Sequence, residues 1–172
     1  VTVSKKVSIL GDFAVGKTSL VRRYVLNEFS DSYQATLGVN IYKYQTQLNH
    51  LGSETDLNLI LWDVEGFESS SGVIENYVRG SAGGFIVGDA TRPDVVDSLQ
   101  RHAAFFQSLQ PGRPLVFAFN KIDLLEEQLS AEVYQPLGEQ FGAPVFQTSA
   151  ATGETVKEAF DGLSARILEI GA

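Results

Sequence analysis

The chain has no cysteine and no methionine among its 172 residues, and only one tryptophan and two histidines. Without cysteine there is no disulfide framework, thiol nucleophile or zinc–thiolate site, a composition compatible with the cytoplasm. His50 and His102 lie far apart, and neither has a spaced His or Glu companion, so no histidine metal centre or catalytic triad is indicated. His50 reads as a turn residue and His102 as a packed or solvated helix residue. Positive charge is also scarce. Lys and Arg number 13 against 21 Asp and Glu, giving a formal net charge of −8 and an isoelectric point near 4.7. That balance argues against nucleic acid or an anionic membrane surface as a general electrostatic partner. Any phosphate bound here must therefore be held locally. There is no transmembrane run and no secretory leader. A chain that starts at Val1 without any Met reads as trimmed or as a piece of a longer protein.

What is present is a regular exchange of short apolar runs with amphipathic segments, on 44% hydrophobic residues. This suits one domain over residues 1–172, of α/β class, with a mostly parallel sheet of about six strands, one antiparallel, and helices on both faces. Val7 to Leu10 reads as the first strand, followed by a helix on which Leu20, Val21, Tyr24 and Val25 recur at helical spacing. Val39–Leu48 and Asp56–Asp63 form an expected strand pair, joined around His50-Leu51-Gly52-Ser53. Gly84–Asp89, Leu115–Phe119 and Val145–Gln147 read as buried strands. Helical patterns cover Asp94–Leu109, Ser130–Phe141 and Val156–Ile170, with a break or new first turn expected at Pro136.

The densest chemical signal is Gly11-Asp12-Phe13-Ala14-Val15-Gly16-Lys17-Thr18, which fits G-x-x-x-x-G-K-[ST] between the first strand and its helix. In such a loop the glycines free the backbone, so that successive N–H groups can point at phosphate oxygens while the helix presents its positive end. Lys17 would reach the β- and γ-phosphates, and the Thr18 hydroxyl would ligate a Mg²⁺ ion held between them. Asp63-Val64-Glu65-Gly66 follows a strand ending at Trp62, on the same sheet edge. Asp63 could hold Mg²⁺ through water, and the Gly66 N–H could meet the γ-phosphate. Asp and Gly in a turn are common, so this segment takes its meaning from the loop at Gly11.

Asn120-Lys121-Ile122-Asp123 directly follows the strand Leu115–Phe119. Together with Gly11–Thr18, Asp63–Gly66 and Ser149-Ala150, it resembles the small GTPases of the Ras superfamily, nearest the Rab branch, over essentially the whole chain. The resemblance implies that Asp123 pairs with two guanine donors that adenine lacks, so that GTP and GDP are bound and ATP is rejected. It further implies that Asn120 braces the loops, that the Lys121 stem packs over the base, and that the Ala150 N–H meets the guanine carbonyl, with Ser149 beside it and Ser19 beside Thr18. Ala151 departs from the family's usual lysine.

Phe29 to Val39 resembles switch I, with Phe29 beside the base and Thr36 closing onto Mg²⁺ and γ-phosphate. Phe67 to about Arg79 resembles switch II, and the two would form the surface read by protein effectors and regulators. By the same resemblance Lys17, Thr36 and Gly66 meet the group that is cleaved. Phe67 stands where a glutamine usually orients the attacking water, and a phenyl ring can neither donate to nor accept from it. Phe13 is bulky at a position that is small in most relatives, where it could bar an arginine finger. Alternatively, both rings pack aside and another group places the water. Glu65, also a departure, either alters partner choice or is a plain exposed loop residue.

Trp62 reads as a packing residue, Arg22 and Arg23 as a polar helix edge, and Phe105, Phe106 and Leu109 as a buried helical stripe. The expectation is a guanine-nucleotide switch with slow hydrolysis. The alternative is a pseudo-GTPase module that holds nucleotide without useful turnover, and an ATP-dependent phosphotransferase is disfavoured by Asn120–Asp123. Membrane attachment is not supported by this chain, which ends at Ala172 without a prenylatable cysteine, but missing termini could supply it.

Overall fold

A computed structural model of the protein describes residues 2–30, 38–64, 66 and 72–171. Thr36, Glu65 and Phe67 therefore lie outside the described residues. In chain order the elements are β1 (Thr2–Gly11), α1 (Lys17–Leu26), β2 (Val39–His50), β3 (Ser53–Val64), α2 (Gly72–Val78), β4 (Gly83–Asp89) and α3 (Val95–Leu109). They continue with β5 (Leu115–Asn120), a short 3₁₀ turn at Ile122–Leu124, α4 (Ala131–Phe141), β6 (Val145–Gln147) and α5 (Val156–Ile170).

The strands form one sheet in the order β2-β3-β1-β4-β5-β6, parallel throughout except for the antiparallel β2–β3 pair. β1 feeds β3 on one side and has β4 on the other, so the chain reverses its direction of growth next to β1. In open α/β sheets the crevice beyond the strand carboxyl ends at such a point is where ligands bind. Gly11, Val64, Asp89, Asn120 and Gln147, the last residues of the parallel strands, all reach that one edge.

Period-two alternation sorts the strand residues onto two cores. Val7, Ile9, Leu59, Leu61, Phe85, Val87, Val116 and Ala118 meet α1 and α5 through Leu20, Val21, Phe160 and Leu163. Leu10, Val64, Ile86, Phe117 and Phe119 face the other way, against Ile74, Leu99, Phe106 and Leu137 of α2, α3 and α4. The Phe85 and Phe160 rings stack at 4.1 Å between centroids. Buried rings of this kind are each worth about 3–5 kcal/mol against truncation to alanine.

Four expectations need adjustment. Val145–Gln147, expected as a buried strand, is only half-buried because it forms the edge of the sheet. The β2–β3 hairpin is longer than the sequence suggests, with His50 opposite Ser53 and only Leu51-Gly52 turning the chain. Both turn residues have positive φ, 53° and 79°, the two-residue geometry that matches the twist of the flanking strands. Pro136 neither breaks α4 nor starts it, and lies inside one continuous helix. Its missing N–H would serve the Glu132 carbonyl, one turn earlier, and both residues are exposed, so water can take that acceptor. Phe106 is fully buried as expected, whereas Phe105 and Leu109 are only half-buried at the edge of the stripe.

Candidate functional site

Between Gly11 and Gly16 the chain leaves β1, wraps a loop and enters α1, and every carbonyl along it has a donor. The buried Lys17 ammonium donates back to the Gly11 and Asp12 carbonyls at 3.2 and 2.9 Å. Arg92 Nη2 donates to Phe13 O at 2.9 Å, and Lys121 Nζ to Ala14 O at 2.8 Å. Asn120 Nδ2 donates to Val15 O at 3.0 Å, and the Leu20 N–H to Gly16 O at 2.9 Å. With its carbonyls engaged by donors from four other side chains and α1, the loop is braced along its whole length. Two residues in it take left-handed φ, Ala14 at 60° and Gly16 at 97°. Gly16 has no alternative, because a Cβ there would lie 2.3 Å from Asn120 Nδ2.

The loop is also held from beneath. His102, only 2% exposed, donates from Nε2 to Asp12 Oδ1 at 2.7 Å, and Arg101 Nη2 reaches Asp12 Oδ2 at 3.3 Å. Burial pushes the His102 imidazole down despite the pull of Asp12, so it is a neutral donor at pH 7. For Asp12 itself burial acts upward, but the nearby Ser98 hydroxyl, the hydrogen bond from His102 and the Arg101 charge outweigh it and keep the carboxylate ionised. Asp89, 5% exposed at the end of β4, is a second hub. It accepts from Thr91 N and Oγ1 at 2.9 and 2.6 Å and from Lys121 Nζ at 2.9 Å, and pairs with Arg92 Nε at 3.4 Å. Burial again acts upward, and the donors from Thr91 and Lys121 override it, so Asp89 stays charged. Neither hub was visible in the sequence, since their contacts to the loop cross long stretches of chain.

At the far end, Asn120 Oδ1 accepts from Thr148 Oγ1 at 3.2 Å and the Ala150 N–H at 3.3 Å. Ser149 Oγ donates to Asp123 Oδ1 at 2.8 Å and accepts the Thr152 N–H at 3.0 Å. Arg23, expected at a polar helix edge, instead reaches this loop, donating to Ala150 O and Ala151 O at 2.7 and 2.8 Å. Arg22 does stay at the surface, paired with Glu28 at 2.8 Å.

One cleft of about 710 Å³ joins the two ends. Of the expected residues, Ala14, Gly16, Lys17, Thr18, Ser19, Phe29, Gly66, Asn120, Lys121, Asp123 and Ala150 line it. Gly11, Val15, Asp63 and Ser149 stand behind it as supports. Asp63 is fully buried at the end of β3, and Thr18 Oγ1 donates to its Oδ2. A hydroxyl and a buried carboxylate in contact offer hard oxygen donors, and no group of three His, Cys, Asp or Glu gathers among the described residues. That donor set suits Mg²⁺, which takes few protein ligands and completes its shell with phosphate oxygens and water. Gly66 packs directly on the phosphate loop, where a Cβ would lie 2.6 Å from both N and Cα of Phe13. Phe13 itself is 48% exposed at the mouth.

A sequence model of the Ras family matches residues 6–169. The chain belongs to the Ras family. Relatives include the Ras-related protein Rab-7b of Mus musculus, 32% identical over 170 residues that cover 96% of this chain and 83% of that protein. The Bos taurus Rab-7b is 34% identical over the same shares. The GTP-binding protein ypt5 of Schizosaccharomyces pombe is 31% identical over 97% of this chain and 79% of its own length. The protein is thus a Rab-like member of the Ras superfamily of small GTPases, with the mostly parallel six-stranded sheet expected of it. No described helix is long and apolar enough to cross a membrane.

Proposed function

We propose that the chain is one GTPase domain over residues 1–172 that binds GTP and GDP with Mg²⁺, hydrolyses GTP slowly, and recruits effectors and regulators through its two switch segments. The observation that carries this is one cleft of about 710 Å³ lined by Lys17 and Thr18 as well as by Asp123 and Ala150, which would take a phosphate chain beside the first pair and a base beside the second. Amides of the Gly11–Gly16 loop and Lys17 would hold the phosphates, and Asp123 and the Ala150 N–H the guanine edge. Thr18, with Asp63 through water and Thr36, would hold Mg²⁺, which when bound offsets the charge of the β- and γ-phosphates. Gly66 would lend its N–H to the γ-phosphate. The reading places the protein in the cytoplasm, on whose guanine nucleotides it would draw.

Lys17 gives this reading a proton signature. Burial lowers its ammonium to about 8, against the pull of Asp63 and Asp12. Phosphates placed beside it restore the charge, so binding takes up a proton wherever the free protein has lost one. At about pH 8.5 GDP binding should take up most of one proton, and at pH 7 about a tenth of one. Calorimetry in two buffers of different ionisation enthalpy measures this, and an uptake that is equal at both pH values would exclude phosphate contact with Lys17.

A second reading, a module that keeps its nucleotide without useful turnover, draws on Phe13. The ring sits at the cleft mouth on the backbone that abuts Gly66, and Phe67 follows Gly66 in the chain. With no side chain at Phe67 to orient water, the isolated protein should turn over GTP at or below roughly 10⁻⁴ s⁻¹. Phe67→Gln should speed it about 10-fold, and Phe13→Gly combined with Phe67→Gln should do more than the two single changes added together. Single-turnover hydrolysis at saturating Mg²⁺ distinguishes the readings. Measurable acceleration by Phe67→Gln supports a slowed hydrolase, whereas no turnover in any of the three variants supports the module.

A further inference from the structure

We propose that Arg23 is a positioning residue for guanine recognition, a strut from α1 that fixes the Ser149–Thr152 loop where Ala150 lines the cleft. The proposal rests on the guanine-nucleotide reading above and adds a residue outside the motifs that led to it.

Arg23 does not line the cleft, so it acts only through what it holds. Its Nε and Nη2 donate to two successive carbonyls, Ala150 O and Ala151 O, at 2.7 and 2.8 Å, across 127 and 128 residues of chain. A planar guanidinium suits this fork, because two of its N–H groups leave in nearly parallel directions. Nη1 donates to Asn27 Oδ1 at 3.1 Å, and Asn27 closes α1 in a left-handed conformation, φ 53°, two residues before Phe29. One guanidinium therefore ties the base loop to the end of α1 from which the Phe29 wall of the cleft departs.

The loop needs such a tie because its own side chains are short. Ala150 and Ala151 carry only methyl groups, so nothing at those positions can brace the backbone. The other fixings are Asn120 Oδ1 on the Ala150 N–H, at a long 3.3 Å, Ser149 Oγ on the Thr152 N–H and on Asp123, the Ser149 N–H on Glu154 O at 3.1 Å, the Gly153 N–H on Ser149 O at 2.8 Å, and Thr152 Oγ1 on the Glu154 N–H. None of these holds the Ala150 or Ala151 carbonyl. Arg23 is what the Ala150 and Ala151 carbonyls bond to. Hydrogen bonds from a charged donor are stronger than neutral ones, so losing the fork should loosen the loop without unfolding a domain whose cores it does not touch.

The test is release of a fluorescent GDP, and separately of a non-hydrolysable GTP analogue, from the full chain in saturating Mg²⁺. Arg23→Ala and the milder Arg23→Gln should each release nucleotide about 10-fold faster, and Arg23→Lys, which keeps one charged donor, by an intermediate factor. The factor should be the same for GDP and the GTP analogue, because the strut acts at the base and not at the γ-phosphate. Amide hydrogen exchange supplies the second readout. Protection should fall at residues 150–153 and hold in β1, β4 and β5. Unchanged release in Arg23→Gln, or a loss of protection spread evenly over the sheet, would overturn the strut. A parent protein that holds no guanine nucleotide would instead remove the function reading on which it rests.

Discussion

Asp123→Asn is expected to weaken GTP and GDP by about 2–4 kcal/mol, the cost of replacing a carboxylate that accepts from two guanine donors with an amide that presents one donor of its own. The structure keeps this carboxylate in place from the side, through Ser149 Oγ at 2.8 Å, so the substitution should alter recognition and leave the loop standing. Xanthosine nucleotides, which present a carbonyl where guanine has its amino group, should gain relative to guanosine nucleotides. Titration calorimetry with GDP and with xanthosine diphosphate measures both halves. Unchanged GDP affinity would withdraw the base assignment while leaving the phosphate end untouched.

Thr18→Asn should weaken Mg²⁺-bound GTP by about 100-fold, near 2.7 kcal/mol, and GDP by less. The Thr18 hydroxyl donates to Asp63, which is fully buried, so a hydroxyl and a carboxylate are paired next to Lys17. Asparagine is bulkier and offers an amide in place of the hydroxyl, a poorer fit to a small ion that demands near-ideal octahedral geometry. Binding measured with and without a chelator checks it. An equal loss for GDP and GTP in the absence of Mg²⁺ would show that the change is steric and that Thr18 has no metal role.

How much of this was legible beforehand follows from how far apart the contacting residues are in the chain. The phosphate loop and Asn120–Asp123 are contiguous segments at strand ends, where spacing alone fixes backbone geometry, and the structure places them on one edge around one cleft. The strands at Val145–Gln147 and the helix at Val156–Ile170 coincide with their expected bounds, because period and breakers agree there. By contrast the roles of Arg23, Asp89, Arg92 and His102 leave no mark in the sequence. Each acts on a segment 32 to 128 residues away, and a single polar residue on a helix face carries no periodic signal that would reveal its partner. His102 is the clearest case: in the sequence it was packed or solvated, and in the fold it is packed because it serves Asp12. Pro136 shows the converse, a strong local breaker tolerated because the acceptor it orphans is solvated. Phe67 and Thr36, expected at the water-orienting and switch I positions, lie outside the described residues, so their proposed roles are tested by kinetics alone.

The most direct test of the central claim is the nucleotide carried by freshly purified protein, released by denaturation and separated by chromatography. The account predicts GDP, GTP or both, close to one per chain, since a nucleotide held at both the phosphate and base ends should survive purification. Adenine nucleotide in its place, or no nucleotide together with no uptake of added GDP in Mg²⁺, would contradict it.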